Sequence, residues 1–546
     1  MNGSTHVDYL IVGAGPAGLQ LAYFLDRAGR NYMVLESRER PGGFFEKFPR
    51  HDGLLSINKV HTGYTDRETQ LRYDWNSLFC EDEEMAFTKY SKEYFPSARL
   101  YAKYLQDFAA KMGLRIRYKT RVADITRCHD GPNFEVADED GMRYSCRALI
   151  MATGMWEPWE PNIPGIETTE SYADMSIDPV DFENQRVLIL GKGNSAFETA
   201  NHLCGATRVT HVCSPNPLKL AWKSHYVGHL RAVNNDFLDT YLLKGQNSLL
   251  DANIDRIEKR DGEYVVDLTF SHAGGQKAQL AYDRVLVCTG FKWNHNMFPA
   301  SCKPESTECG RLPKMTSAWE STNLPHLFYA GTLMQMRDKH KTMSNVLHGF
   351  RSNIKSLASI LAARYEGRDW PSVALARDPG AISDKIISQV SRDSSIMLQP
   401  GFLADLIVVD NDKARYYETL NVDYLQESCF AESENYFVVT MEYGDTQDDV
   451  LAVNREPDPT RAYNDVYLHP RVRQYSRGQL VAEHHISESL ENDWRTDAHC
   501  GSRSLIRKLG LHGQDDPTMF QHTVREQLVS FLEGQLAQQS YAMGAM

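Results

Sequence analysis

A glycine-rich turn set between a short apolar run and a helix, and repeated further along the chain, constrains this sequence more than any other feature. Residues 9–12, YLIV, are the kind of run that is buried on both faces of a parallel sheet. Gly13-Ala14-Gly15-Pro16-Ala17-Gly18 follows at once, residues 19–28 carry helical spacing, and residues 31–35 form a second run that ends at Glu36 and Ser37. Strand, G-x-G-x-x-G, helix, strand and acid, in that order, is the dinucleotide-binding pattern. Gly13 serves the tight turn, Gly15 the close approach of backbone to a pyrophosphate, and Gly18 the packing of helix on strand. The helix start at Pro16 and Ala17 offers free N–H groups and a partial positive charge to phosphates. Glu36 can accept hydrogen bonds from ribose hydroxyls.

Residues 186–190, RVLIL, open a second unit of the same kind: Gly191-Lys192-Gly193-Asn194-Ser195-Ala196, with alanine for the third glycine. Residues 208–213 supply its next strand, which ends at Ser214 rather than at an acid, with Lys219 and Lys223 nearby. An acid there favours NAD, so the expected coenzyme is NADPH, with NADH the alternative. Apolar strands at 147–151 and 283–288 end in Ala152-Thr153-Gly154 and Thr289-Gly290, and a third at 327–330 ends at Gly331. Small residues at strand ends let backbone lie against a cofactor. Gly43 and Phe44, in the turn after the first unit, and Val122 complete the expected cofactor contacts. Two turns about 180 residues apart imply an α/β protein with two Rossmann-like dinucleotide-binding domains, the second inserted in the first. The expected division is an FAD-binding domain over 1–165 and 291–375, an NAD(P)H-binding domain over 166–290, and a C-terminal α+β domain over 376–546.

In that last region, 433–443 and 465–475 show strand alternation, and 518–538 reads as an amphipathic helix. No motif there carries chemistry. His484-His485 lacks further ligands at metal-site spacing, so no metal is expected. A net charge of −13 argues against nucleic-acid or anionic-membrane partners. No apolar run approaches the roughly 20 residues that span a bilayer, and the N-terminus runs straight into the first strand, so a cytoplasmic protein is expected. None of the ten cysteines forms C-x-x-C, so a short-loop redox dithiol is not expected.

Beyond these patterns, GAGPAG with Glu36, PGGFF, ATG, GKGNSA and TGF together resemble the flavin-containing monooxygenases. SINKVHTGY, YDWNSL, YSKEYFP, LAWKSHYVGHLRAVNNDFLDTY and HGFR more closely resemble the FAD-dependent oxidoreductase domain-containing flavoproteins, whose eukaryotic member is an ER protein, and the resemblance continues through YLHPRVRQY and GQLVAEHHI. Bacterial relatives of that type include N-monooxygenases that convert aspartate to nitrosuccinate. The resemblance implies FAD at the first turn, NADPH at the second, and oxygen captured as a C4a-hydroperoxyflavin that oxygenates the nitrogen of a small amine or amino acid. A homodimer is compatible with this reading. Asn58, in SINK, is similar to the asparagine that lies by the flavin's reactive edge in flavin monooxygenases. Lys59 and His61 are then candidates to bind a substrate carboxylate and favour the neutral amine, and Arg72, Asp74, Asn76, Arg337, Lys339 and Lys341 are further candidates. Two positions depart from the monooxygenase pattern: the G-D pair reads Gly331-Thr332, and GIETTESYADM carries Tyr172 but no histidine. The alternative is an FAD/NAD(P)H reductase of a protein or small-molecule disulfide or a quinone.

Overall fold

The first apolar run sits at the middle of a sheet because nothing in it needs water. Thr5–Val12 pairs in parallel with Tyr32–Leu35 on one side and Arg143–Met151 on the other, and Leu10 and Ile11 are fully buried. The computed structural model describes residues 5–128, 133–221, 229–243, 246–337, 343–410, 412–444, 456, 458–489, 491–495 and 524–544. Lys223, Lys339, Lys341, Cys500 and residues 518–523 lie outside the described residues.

The first sheet continues through Ile116–Arg117 beyond Tyr32–Leu35, and through the antiparallel pair Phe134–Asp138 and Val122–Arg127 at its other edge. Leu327–Tyr329 also pairs in parallel with Arg143–Met151, so the chain returns to this sheet after leaving it. Helix Pro16–Arg27, with proline in its first turn, packs against the 20-residue helix Leu347–Glu366. Helix Ala98–Lys111 begins at Ser97, whose hydroxyl accepts from the Leu100 N–H at 3.2 Å.

The strands between 170 and 287 form a separate seven-stranded sheet. Arg186–Leu190 lies in it between Val209–Ser214 and Arg284–Val287, all parallel. A meander of Asn247–Arg260, Glu263–Phe270 and Lys277–Tyr282 extends it. The two connections between the sheets run side by side: Glu157–Pro158 pairs antiparallel with Phe291–Lys292. A third sheet of six antiparallel strands spans Ser372–Ala376 to Gln479–His485, and the helices Pro379–Val390 and Val524–Gly544 pack together beside it.

One buried arginine joins this third part to the first, and a second ties the first part to itself. Arg72 donates to the carbonyls of Asp393, Asn492 and Val390, and fully buried Arg351 donates to those of Leu71, Asp74 and Ser77. Asp74, 1% exposed, accepts from the N–H groups of Asn76 and Ser77. The segment around YDWNSL is thus a knot of backbone contacts, and it holds the residues that follow Asn58 in place.

Candidate active site

Each glycine turn is shaped by what lies under it. Gly13 and Gly191 have φ of +105° and +115°, and a Cβ at either would meet the carbonyl oxygen of the adjacent strand end, Ala152 at 2.7 Å and Cys288 at 2.4 Å. A Cβ on Gly18 would lie 1.9 Å from the Gly13 carbonyl oxygen, the close helix–strand contact the motif requires. At Gly15 and Gly193, by contrast, an added Cβ would meet no atom within 4 Å. Those two positions face open space at the start of a helix, where a pyrophosphate takes up backbone N–H groups.

Both turns open into one cleft of about 1630 Å³. From the first unit it takes Gly13, Gly15, Pro16, Ala17, Glu36 and Ser37, followed by Gly43, Phe44 and Val122. From the second it takes Gly191, Gly193, Asn194 and Ser195. The strand ends Thr153, Gly154, Thr289, Gly290 and Gly331 also line it. Gly18, Asn58, Lys59 and His61 do not. Gly18 lies beneath the turn. Asn58 is buried, donates from Nδ2 to the carbonyls of Ser91 at 2.8 Å and Glu93 at 3.2 Å, and leaves Oδ1 without a partner. Lys59 and His61 are exposed. Ser56 and Asn76, joined at 2.5 Å, reach the cleft beside them.

The residues present fit two dinucleotides. Glu36 bends back to its own turn: one oxygen accepts from the Ala14 N–H at 2.8 Å and the other from the Arg38 N–H at 2.9 Å. The hydroxyl of Thr153 and the amide oxygen of Asn345, both on the cleft, are buried without partners, and buried polar atoms call for one. At the second turn no acid stands at position 214, and the acid on the neighbouring strand is tied to a lysine of the turn and does not line the cleft. Asp251 stands opposite Ser214 in register and holds the Lys192 ammonium, whose side chain is 6% exposed and also donates to the Asn216 carbonyl at 3.2 Å. Asp251 is the fifth residue of the 14-residue strand Asn247–Arg260, a place that no local motif marks. Lys219 is exposed.

The described cysteines are all free. Two touch the cleft, Cys213 and Cys288, and burial pushes their thiols up to about 11 and about 12, far from the thiolate a disulfide relay needs. Among the described residues no group of three or more His, Cys, Asp or Glu side chains could hold a metal, and no helix is long and apolar enough to cross a membrane.

The match to known proteins follows this geometry. Residues 10–331 match the family model of the pyridine nucleotide-disulphide oxidoreductases. FAD-dependent oxidoreductase domain-containing protein 2 of Mus musculus is 35% identical over 90% of this chain and 81% of its own length. The chain belongs to the pyridine nucleotide-disulphide oxidoreductase family. This oxidoreductase is FAD-dependent and uses a nicotinamide dinucleotide. It is similar also to senecionine N-oxygenase of Tyria jacobaeae, 25% identical over 52% of this chain and 58% of that one. Its fold is that of the flavin monooxygenases: the cadaverine monooxygenase DfoA of Erwinia amylovora superposes with a TM-score of 0.52 at 15% identity, over 67% of this chain and 95% of that one.

Where the oxidoreductase's two nucleotide domains meet, one carboxyl is set for pH dependence. Glu198, on the helix after the second turn, accepts from the Tyr172 hydroxyl at 3.0 Å, and that hydroxyl accepts from the Arg50 N–H at 3.0 Å. The Arg50 guanidinium donates across the junction to the carbonyls of Ala173 at 2.5 Å and Met175 at 2.7 Å. Burial raises the Glu198 carboxyl from 4.5 to about 7, with the tyrosine bond opposing. A folded-state value above the unfolded one means the stabilisation is complete at low pH and is lost as pH rises through about 7. The thermal midpoint of the wild type should therefore fall relative to that of Glu198→Gln between about pH 5 and pH 8. Parallel curves for the two proteins would refute the assignment.

Proposed function

We propose that this flavoprotein is an NADPH-dependent monooxygenase that transfers oxygen to the nitrogen of a small amine or amino acid, aspartate being one candidate. The observation that carries the reading is the shared cleft: both coenzyme turns open into it, and the only thiols on it among the described residues, Cys213 and Cys288, are held neutral. Among the described residues, electrons that reach the flavin find no thiol relay on this cleft. The similarity to an N-oxygenase and the flavin-monooxygenase fold support the same direction.

Bound FAD supplies two-electron chemistry, accepting hydride from a nicotinamide and reacting with dioxygen once reduced. The chain supplies the rest. The open positions at Gly15 and Gly193 admit the two pyrophosphates, and Glu36 orients a ribose. The aromatic group of Phe44, Phe48, Tyr172 and Phe291 keeps the junction between the domains dry. Asn58 holds the 91–93 loop and keeps one amide oxygen free, and we assign it to hydrogen bonding beside the reacting centre. Lys59 and His61, on its exposed flank, meet a substrate carboxylate on entry.

The test is NADPH oxidation with a panel of amines, amino acids, disulfides and quinones, followed by mass spectrometry. A hydroxylamine, oxime or nitroso product supports the reading, and turnover only with disulfides or quinones overturns it in favour of a reductase. Asn58→Ala should retain FAD and divert NADPH oxidation into hydrogen peroxide. Unchanged coupling would remove Asn58 from this role.

A further inference from the structure

Beside the part of the cleft lined by Ser56, Asn76 and Leu347, one guanidinium lacks a counter-charge. Arg231 is fixed by its backbone to the second turn: its N–H donates to the Asn194 side chain at 2.9 Å, and Asn194 donates in turn to the His229 carbonyl at 3.2 Å. Its side chain crosses to the first domain, where the guanidinium carbon stands 5.7 Å from the centre of the Trp75 ring. Among the described residues no carboxylate pairs with it, and the titratable group that acts on it is the Tyr94 phenol. Half-buried charge without a partner is costly, and stacking on one indole offsets only part of that cost.

The surroundings leave other polar groups free. Trp75 lies against His348, ring centres 4.0 Å apart. His348 is 1% exposed, and neither of its ring nitrogens has a hydrogen-bond partner. Asn58, whose Oδ1 is also unpartnered, bridges to Asp74, the neighbour of Trp75. Asn76 and Leu347, which follow Trp75 and precede His348 in the chain, are on the cleft wall. A cation, an aromatic platform and two unsatisfied hydrogen-bonding side chains thus meet where the domains meet, directly behind the cleft wall formed by Asn76 and Leu347.

We propose that Arg231 binds the carboxylate of the amine substrate, with the Trp75 ring, backed by His348, as the platform on which that substrate lies, so that the enzyme takes an amino acid or another small amine bearing an acid group. The proposal rests on the N-oxygenation reading above. A guanidinium suits a carboxylate because its planar fork makes two parallel charge-assisted bonds. Its positive charge also disfavours protonation of a nearby amine, which exposes the lone pair that oxygen transfer needs.

The holoenzyme tests this with L-aspartate, L-ornithine and L-lysine, each compared with its α-carboxamide. Binding is read without turnover from the flavin visible spectrum, and KM is read from NADPH oxidation. At least one acid should perturb the spectrum while its amide does not. Arg231→Met should weaken that acid roughly 100-fold, with the KM for NADPH unchanged, as loss of a bidentate charged contact implies. Arg231→Lys should fall between the two. Amides that bind as tightly as acids, no acid that binds, or a raised KM for NADPH in place of weakened acid binding would each overturn the proposal. The last result would assign Arg231 to a coenzyme phosphate. Arg231-dependent binding without an oxygenated product would overturn N-oxygenation and leave the anchor standing. Product formed with acid binding unchanged in Arg231→Met would do the reverse.

Discussion

Gly193→Val will leave the purified protein yellow and lower its rate of NADPH oxidation by at least about 100-fold, while Gly15→Val will yield a colourless protein. The two variants share one physical basis. Both new side chains start in open space, since a Cβ at either position has no atom within 4 Å. Each fills the space in which a pyrophosphate takes up backbone N–H groups at a helix start, and losing one or two charge-assisted bonds there costs roughly 100-fold. The variants separate because the turns belong to different sheets, one built on Thr5–Val12 and the other on Arg186–Leu190. Absorption spectra and coenzyme oxidation rates check both. A Gly15→Val protein that keeps its flavin, or a Gly193→Val protein that turns over normally, would contradict the assignment of turns to coenzymes.

Arg351→Met will destabilise the protein by about 3–5 kcal/mol, a loss typical of removing one partner from a buried charged network. Its guanidinium is fully buried and supplies the donors for the carbonyls of Leu71, Asp74 and Ser77. Methionine fills similar volume but leaves three buried acceptors unpaired. The loss should appear as a lower midpoint of thermal flavin release. An unchanged midpoint would show that the YDWNSL segment does not depend on this arginine. The substitution should also loosen the setting of Asn58, which bridges to Asp74 in the same segment.

The parts of this molecule legible in the sequence are those whose signals are local. A glycine turn, the strand before it and the acid after the next strand lie within about thirty residues, so Gly13 to Glu36 and Gly191 to Ser195 could be found without knowing any distant contact. Thr153, Thr289 and Gly331, which line the cleft, are legible because small residues close an apolar run. What escaped notice was set by contacts across the fold. Asp251 serves the second turn only because its strand pairs with Val209–Ser214 in parallel register. Arg231 and His348 lie more than a hundred residues apart in the chain, yet both meet Trp75. Arg72, a site candidate by motif, spends its donors on backbone carbonyls of the third part of the chain, a role that no periodicity announces. The burial of His348 at the start of the helix Leu347–Glu366 is likewise set by packing that no local pattern shows.

The central claim is that one cleft brings a nicotinamide dinucleotide to an FAD, and the most direct measurement is an anaerobic stopped-flow mixing of the oxidised protein with NADPH. The flavin band near about 450 nm should bleach in a single turnover, and the Gly193→Val protein should keep the band at the same NADPH concentration. A wild-type band that survives NADPH would contradict the claim.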